Sequence, residues 1–204
     1  LGKRRLERLH STAMGSTRRR RSAGTLLVGV ISDTHGLLRP EALAALESVD
    51  AIVHAGDIGS AGILDALWRI APVVAVRGNN DRDAWAASLP EIAKTEIGGT
   101  RIWVVHDVND LGKDPALAGV AVVISGHSHS PRVERRKGLL FLNPGSAGPR
   151  RFSLPIAVAR LHLGPAGPRA ETVELALTGP SRRSPARRRS GLDGPRGPGA
   201  VSVR

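Results

Sequence analysis

The 204-residue sequence contains no cysteine, which excludes a disulfide scaffold, a thiolate metal site and a cysteine nucleophile. Its apolar runs, Leu26–Ile31 among them, fall far short of the ~20 residues that cross a bilayer, so no membrane association is expected. Aromatic residues are scarce, and Trp68, Trp85 and Trp103 are too scattered to form a stacking surface for single-stranded nucleic acid. Lysine is nearly absent: four of the 30 basic residues are Lys. With abundant Ala, Gly and Pro, that preference reads as the coding bias of a GC-rich genome.

Acidic residues are also few, 18 against 30 basic, for a formal charge of +12. Such a sum suggests a nucleic-acid or acidic-membrane partner, but its distribution weakens that reading. Residues 1–24 carry eight basic groups and one acid, and residues 178–204 seven and one. Residues 25–177 hold 15 basic and 16 acidic residues, a net of −1. The basic character belongs to two ends, a leader and a Pro/Gly/Arg-rich tail that are expected to be disordered. Arg18–Arg21 followed by Leu26–Ile31 imitates an export signal. The run is short, however, no small-residue cleavage site precedes Asp33, and cleavage there would strike the first polar motif. The run therefore reads as a first buried strand, Met14 is a candidate start, and a cytoplasmic location is expected.

Residues 25–177 are enough for one well-buried domain. Strands are expected at Leu26–Ile31, Ala51–His54 and Val73–Val76, with helices at Pro40–Glu47 and Ser60–Ile70 between them. After Pro90 the texture becomes β-rich, with strand-like runs at Ala93–Ile97, Arg101–Val105, Val120–Ser125, Val133–Arg136, Leu139–Leu142, Ile156–Leu163 and Thr172–Leu177. A short helix is expected at 115–118. The pattern is an α/β protein with two packed sheets.

Polar residues gather just after successive strands: Ser32-Asp33-Thr34-His35-Gly36, His54-Ala55-Gly56-Asp57, Arg77-Gly78-Asn79-Asn80-Asp81, His106-Asp107 and Gly126-His127-Ser128-His129. In open α/β sheets such strand ends share the edge where ligands bind. Taken singly, each motif also reads as a turn, a helix cap, a satisfied buried histidine or a solvated loop. Taken together, all five fall at strand ends of a chain whose other histidines number three, His10, His54 and His162. Asp33, His35, Asp57, Asn79, His106, His127 and His129 offer imidazoles, carboxylates and an amide oxygen without a thiolate. That set suits Mn, Fe, Co, Ni or Zn. It exceeds the four ligands of one tetrahedral zinc and suits two ions sharing a carboxylate. His54 is expected to be structural, and Arg77 to meet either a phosphate or solvent.

This ordered motif set, closed by Asn143-Pro144-Gly145-Ser146 and Pro149-Arg150, resembles the calcineurin-like metallophosphoesterases, in their small YfcE-type bacterial and archaeal branch, from about Leu26 to Leu177. The resemblance implies a four-layer αββα sandwich, two mixed β-sheets flanked by helices. It implies two divalent ions, Mn foremost and Fe, Ni, Co, Zn or Mg as alternatives. Asp33, His35 and His129 would bind one ion, Asn79, His106 and His127 the other, and Asp57 would bridge them. Catalytic roles are implied for Asp57, Asn79, Asn80 and His106, with in-line attack by a metal-bridging hydroxide. Two positions depart from the family pattern. Asn80 stands where relatives carry His or Cys and can donate a hydrogen bond but no proton. Asp107 stands where relatives usually have Gly, and could orient His106 or crowd the substrate.

The function implied is a phosphodiesterase acting on small or nucleotide-like diesters. The alternatives are a phosphomonoesterase of the same mechanism and a non-catalytic protein-binding scaffold, as in retromer subunits of this fold. The scaffold reading expects lost ligands. Weak nucleic-acid contact through the basic ends and homo-oligomerisation are further possibilities.

Overall fold

The computed structural model describes residues 24–112 and 119–177. The basic ends and the helix expected at 115–118 lie outside these residues. Apolar β-branched runs form β1 (Leu26–Ile31), β2 (Ala51–His54) and β3 (Val73–Ala75). Between them lie α1 (Pro40–Ala45), which starts on a proline whose fixed φ suits a first helical turn, and α2 (Ala61–Trp68). The β-rich half supplies β4 (Ile92–Ile97), β5 (Thr100–Val105), β6 (Val122–Ile124), β7 (Arg132–Arg136), β8 (Leu139–Asn143), β9 (Ala157–Leu163) and β10 (Arg169–Glu174).

The strands make two mixed five-stranded sheets, ordered β10-β9-β1-β2-β3 and β4-β5-β6-β8-β7. In the first, β1, β2 and β3 run parallel, with Ile31 beside His54 and His54 beside Ala75. In the second, β5, β6 and β8 run parallel, with Val104, Ile124 and Leu142 in one row. The central strands of each sheet thus end level, and the loops that follow them leave from one edge.

Side-chain alternation assigns each face. Val28, Val30 and Val53 of the first sheet meet Ile102, Val104, Ile124 and Leu142 of the second in a core between the sheets. Leu27, Ile31 and Ile52 point the other way, onto Leu46, Ile63 and Leu67 beneath α1 and α2. The outer face of the second sheet carries Trp103, Val123 and Phe141, partly covered by Leu111 from a 3-10 turn over Val108–Leu111. The architecture is the expected α/β one, two packed mixed sheets with helices on their flanks. Among the described residues the second flank is the thinner. No helix of the described residues is long and apolar enough to cross a membrane.

Departures from expectation are local. The first helix ends at Ala45 and not at Glu47, ahead of the left-handed Ser48. The last strand runs Arg169–Glu174 instead of Thr172–Leu177, because it pairs antiparallel with β9 from Arg169 opposite His162 to Glu174 opposite Ala157. Tertiary pairing, not composition, sets that register. Two 3-10 turns, Ala84–Ser88 and Val108–Leu111, were not expected; each is too short to show a helical period.

The inter-sheet core should dominate stability. Leu161→Ala, at a fully buried position of that core, is expected to cost about 2–5 kcal/mol in urea denaturation. Val133→Ala on the exposed β7 edge should stay within about 0.5 kcal/mol.

Candidate metal centre

Five loops from the two sheets meet at the shared edge. The segment after β1 is laced to the segment after β2 by backbone bonds from Asp33 N to Gly56 O (3.0 Å), His35 N to Asp57 O (2.9 Å) and Gly36 N to Ile58 O (2.8 Å). This lacing holds Asp33, His35 and Asp57 in the left-handed region, at φ 54°, 46° and 52°. His127 and His129 adopt it too, at 66° and 57°. Non-glycine residues rarely adopt this conformation, and each such residue stores strain that the surroundings must hold in place. Five of the seven expected ligands share it.

The side chains form two overlapping groups. His35 Nε2 and His129 Nε2 lie 3.4 Å apart, and Asp33 Oδ1 lies 3.9 Å and 3.3 Å from them. Asp57 Oδ2 lies 3.3 Å from His106 Nε2 and 3.9 Å from His35 Nε2, between the two sides. Ligand atoms of Asp33, His35 and His129, and of Asp33, Asp57 and His106, each fall within 4.8 Å of one another. At the outer rim, His127 Nδ1 lies 3.2 Å from Asn79 Oδ1. The structure therefore brings all seven expected residues together.

A metal fits this donor set. Asp33 Oδ1 and His106 Nε2 are buried and have no hydrogen-bond partner, an expensive state that a cation would relieve. His106 Nδ1 donates to the Ala55 carbonyl at 2.8 Å, which leaves Nε2 as the bare acceptor facing Asp57. Burial, with the charge of nearby Arg151 and the neighbouring His35, pushes His129 down to about 4, and burial likewise depresses His35. Both are thus neutral imidazoles, the form that binds metal. Burial raises Asp33 to about 6. Burial opposes ionisation of Asp57 as well, but the adjacent His106 and hydrogen bonds from Asn80 outweigh it and hold its carboxyl well below the usual range. The same contact with Asp57 outweighs burial at His106 and raises that imidazole.

Asn80, where a proton donor was of interest, is committed to Asp57. Its backbone N–H donates to Oδ1 at 2.9 Å and its side-chain amide to Oδ2 at 2.5 Å. Gly78 packs so close behind Asp57 that an added Cβ would collide with the carboxylate and its backbone nitrogen. Asp107 does not reach His106 as its neighbour. Its Oδ2 lies 3.7 Å from His127 Nε2, while its Oδ1 accepts from Asn109 N and starts the 3-10 turn. Arg77 pairs with Glu91 at 2.6 Å.

Supporting residues escaped the sequence reading. Buried Asp81 accepts from the backbone N–H groups of Ile58, Gly59 and Gly78, tying the second loop to the third. Ser32 Oγ donates to the Ala55 carbonyl, and Ser146 Oγ to the Asp33 carbonyl. The Asn143–Ser146 turn of the closing motif also backs the site: Asn143 donates to the Gly126 carbonyl and accepts from Gly145 N. The available signal was position: each is a small polar residue adjoining a ligand motif at a buried strand end. Arg151 belongs to no motif and shows only through its charge on His35 and His129.

His54 is structural, as expected. Thr34 Oγ1 donates to the Ile58 carbonyl and so accepts from His54 Nε2 at 3.0 Å. Complete burial holds this imidazole down to about 3. An unfolded chain takes up that proton near pH 6.5 and the folded one only near pH 3, so His54 removes stability as pH falls through that window. In chelator, the stability lost between pH 7 and pH 5 should be smaller in His54→Gln by about 1 kcal/mol or more, read from urea midpoints at the two pH values.

Residues 26–164 match the calcineurin-like phosphoesterase superfamily domain. A probable metallophosphoesterase of Methanocaldococcus jannaschii is 40% identical over 139 residues, covering 60% of this chain and 69% of its own. A phosphodiesterase of the same organism is 27% identical over 137 residues, covering 58% and 82%. The solved structure of the Escherichia coli phosphoesterase YfcE superposes with a TM-score of 0.54 at 24% identity, over 67% of this chain and 88% of that one. With its fold, its site and these relatives in agreement, the chain belongs to the calcineurin-like phosphoesterase superfamily.

Proposed function

We propose that this site hydrolyses phosphodiesters with two divalent ions, manganese foremost. The observation that carries the proposal is the meeting of seven nitrogen and oxygen ligands from five loops around unpartnered Asp33 Oδ1 and His106 Nε2. Asp33, His35 and His129 would hold one ion and Asn79, His106 and His127 the other, with Asp57 between them. A bound pair supplies Lewis acidity, lowering the pKa of water and drawing charge from the phosphoryl oxygens.

The chain's own residues do the positioning. Asn80 fixes both oxygens of Asp57, the Ala55 carbonyl orients His106, and Ser146 and the Gly56 carbonyl grip the backbone of Asp33. Because Asn80 carries no transferable proton and its amide is engaged, the leaving oxygen gets no acid from this position. Esters with good leaving groups are therefore favoured. The Asp107 carboxylate at the rim, beside His127, repels a second negative charge. That favours a singly charged diester over a doubly charged monoester. The relative named as a phosphodiesterase supports the same choice. A scaffold role would tolerate missing ligands, and all seven are present.

Hydrolysis of bis-p-nitrophenyl phosphate should require added Mn and fall to background in Asp57→Asn and in His127→Ala. Asp107→Gly should keep the diesterase activity and raise the monoesterase share several-fold, read as the kcat/KM ratio of the two p-nitrophenyl esters. Chelator-resistant hydrolysis that survives in Asp57→Asn would overturn the proposal.

A further inference from the structure

Beside the ligand cluster, the outer face of the second sheet is cut by a cleft of about 570 Å³. Of the seven ligand residues only His127 lines it, at its upper end. Its walls differ in chemistry. One carries Val108, 41% exposed at the start of the 3-10 turn. The other is β7, whose alternation sends Arg132, Glu134 and Arg136 to the face that carries Asn143 and Phe141 of β8, their register partners being Arg132–Asn143 and Glu134–Phe141. Glu134 holds both arginines, at 2.5 Å from Arg132 Nη2 and 2.6 Å from Arg136 Nε. Two cations against one carboxylate leave this wall with an excess positive charge. The Arg136 guanidinium lies over the Phe141 ring, 5.5 Å from its centroid, so a flat cationic surface is already in place.

We infer that this cleft holds one organic arm of the ester, and that the arm is a nucleoside bearing a further phosphate. A planar base fits the apolar and guanidinium surfaces of Val108, Pro131, Phe141 and Arg136, since guanidinium planes and aromatic rings stack on bases. The further phosphate fits Arg132 and Arg136, because guanidinium pairs with phosphate oxygens through two parallel hydrogen bonds. The volume is that of a small-molecule site. Continuity with the cluster at His127 places the scissile phosphate at the metal ligands while the arm lies along β7. The inference rests on the phosphodiesterase reading only for which bond is cut; the occupancy of the cleft can be measured without turnover.

The probe is adenosine 3′,5′-bisphosphate, titrated calorimetrically into the full chain in EDTA, where hydrolysis is suppressed. Wild type should bind it, and Arg132→Gln and Arg136→Gln should each weaken binding about tenfold or more. Arg69→Gln, the same charge change on the surface at the end of α2, should leave it unaltered. With Mn present, the two cleft variants should raise KM for a nucleotide p-nitrophenyl ester, while Arg69→Gln should not. No binding by wild type, or equal weakening by all three arginine variants, would overturn the assignment. Bisphosphate binding that follows this pattern in a protein without diesterase activity would uphold the cleft and refute the reaction.

Discussion

The Asp57 carboxylate is the constraint on which the site depends. It is buried, its neighbours hold it well below the usual carboxylate range, and it sits at the junction of the two sheets. One oxygen accepts from the Asn80 backbone and the other from the Asn80 side chain, with His106 of the second sheet 3.3 Å away. Gly78 is required behind it because no Cβ fits. Gly56, just ahead of it, combines a φ of +89° with a backbone against which the His106 ring packs. One charged group thus sets the residue choice at four neighbouring positions on three loops. Burying a charge is costly unless it is paired. A bound cation would relieve that cost at Asp57 and Asp33.

The fold serves this junction. Parallel strands at the centre of each sheet end level, and the shared Val/Ile/Leu core locks the two sheets face to face. Loops leaving one edge then meet without long excursions. The price is paid in backbone strain, with left-handed conformations at Asp33, His35, Asp57, His127 and His129. Short cross-loop bonds hold those conformations: three join the β1 and β2 loops, and Asp81 adds two between the second loop and the third. Rigid placement before metal or substrate arrives is what an electrostatic catalyst requires.

Much of this was legible in the sequence because the signals were local. Uninterrupted apolar runs located β1, β2 and β3 within a residue, and the polar motifs after these and later strands are the ones that gather at the shared edge. What was not legible depended on pairing across the fold. The register of β10 follows β9, and the ends of the helices follow local turns such as the left-handed Ser48. Asp81 looked like one more turn residue until its carboxylate was seen to gather three backbone donors. Asp107 follows His106 in the chain, yet its side chain serves His127 across the rim, because adjacent residues on an extended segment point to opposite sides. The cleft on the second sheet could not be anticipated at all. Arg132, Glu134 and Arg136 read as an ordinary solvated edge until β8 set Phe141 beside them.

The central claim is that these seven residues form one two-metal centre. Anomalous diffraction from crystals grown with manganese tests it most directly. The account predicts two peaks about 3.5–4 Å apart, one beside Asp33, His35 and His129 and the other beside Asn79, His106 and His127, with Asp57 touching both. A single peak, or ions bound elsewhere while these side chains keep their metal-free contacts, would contradict it.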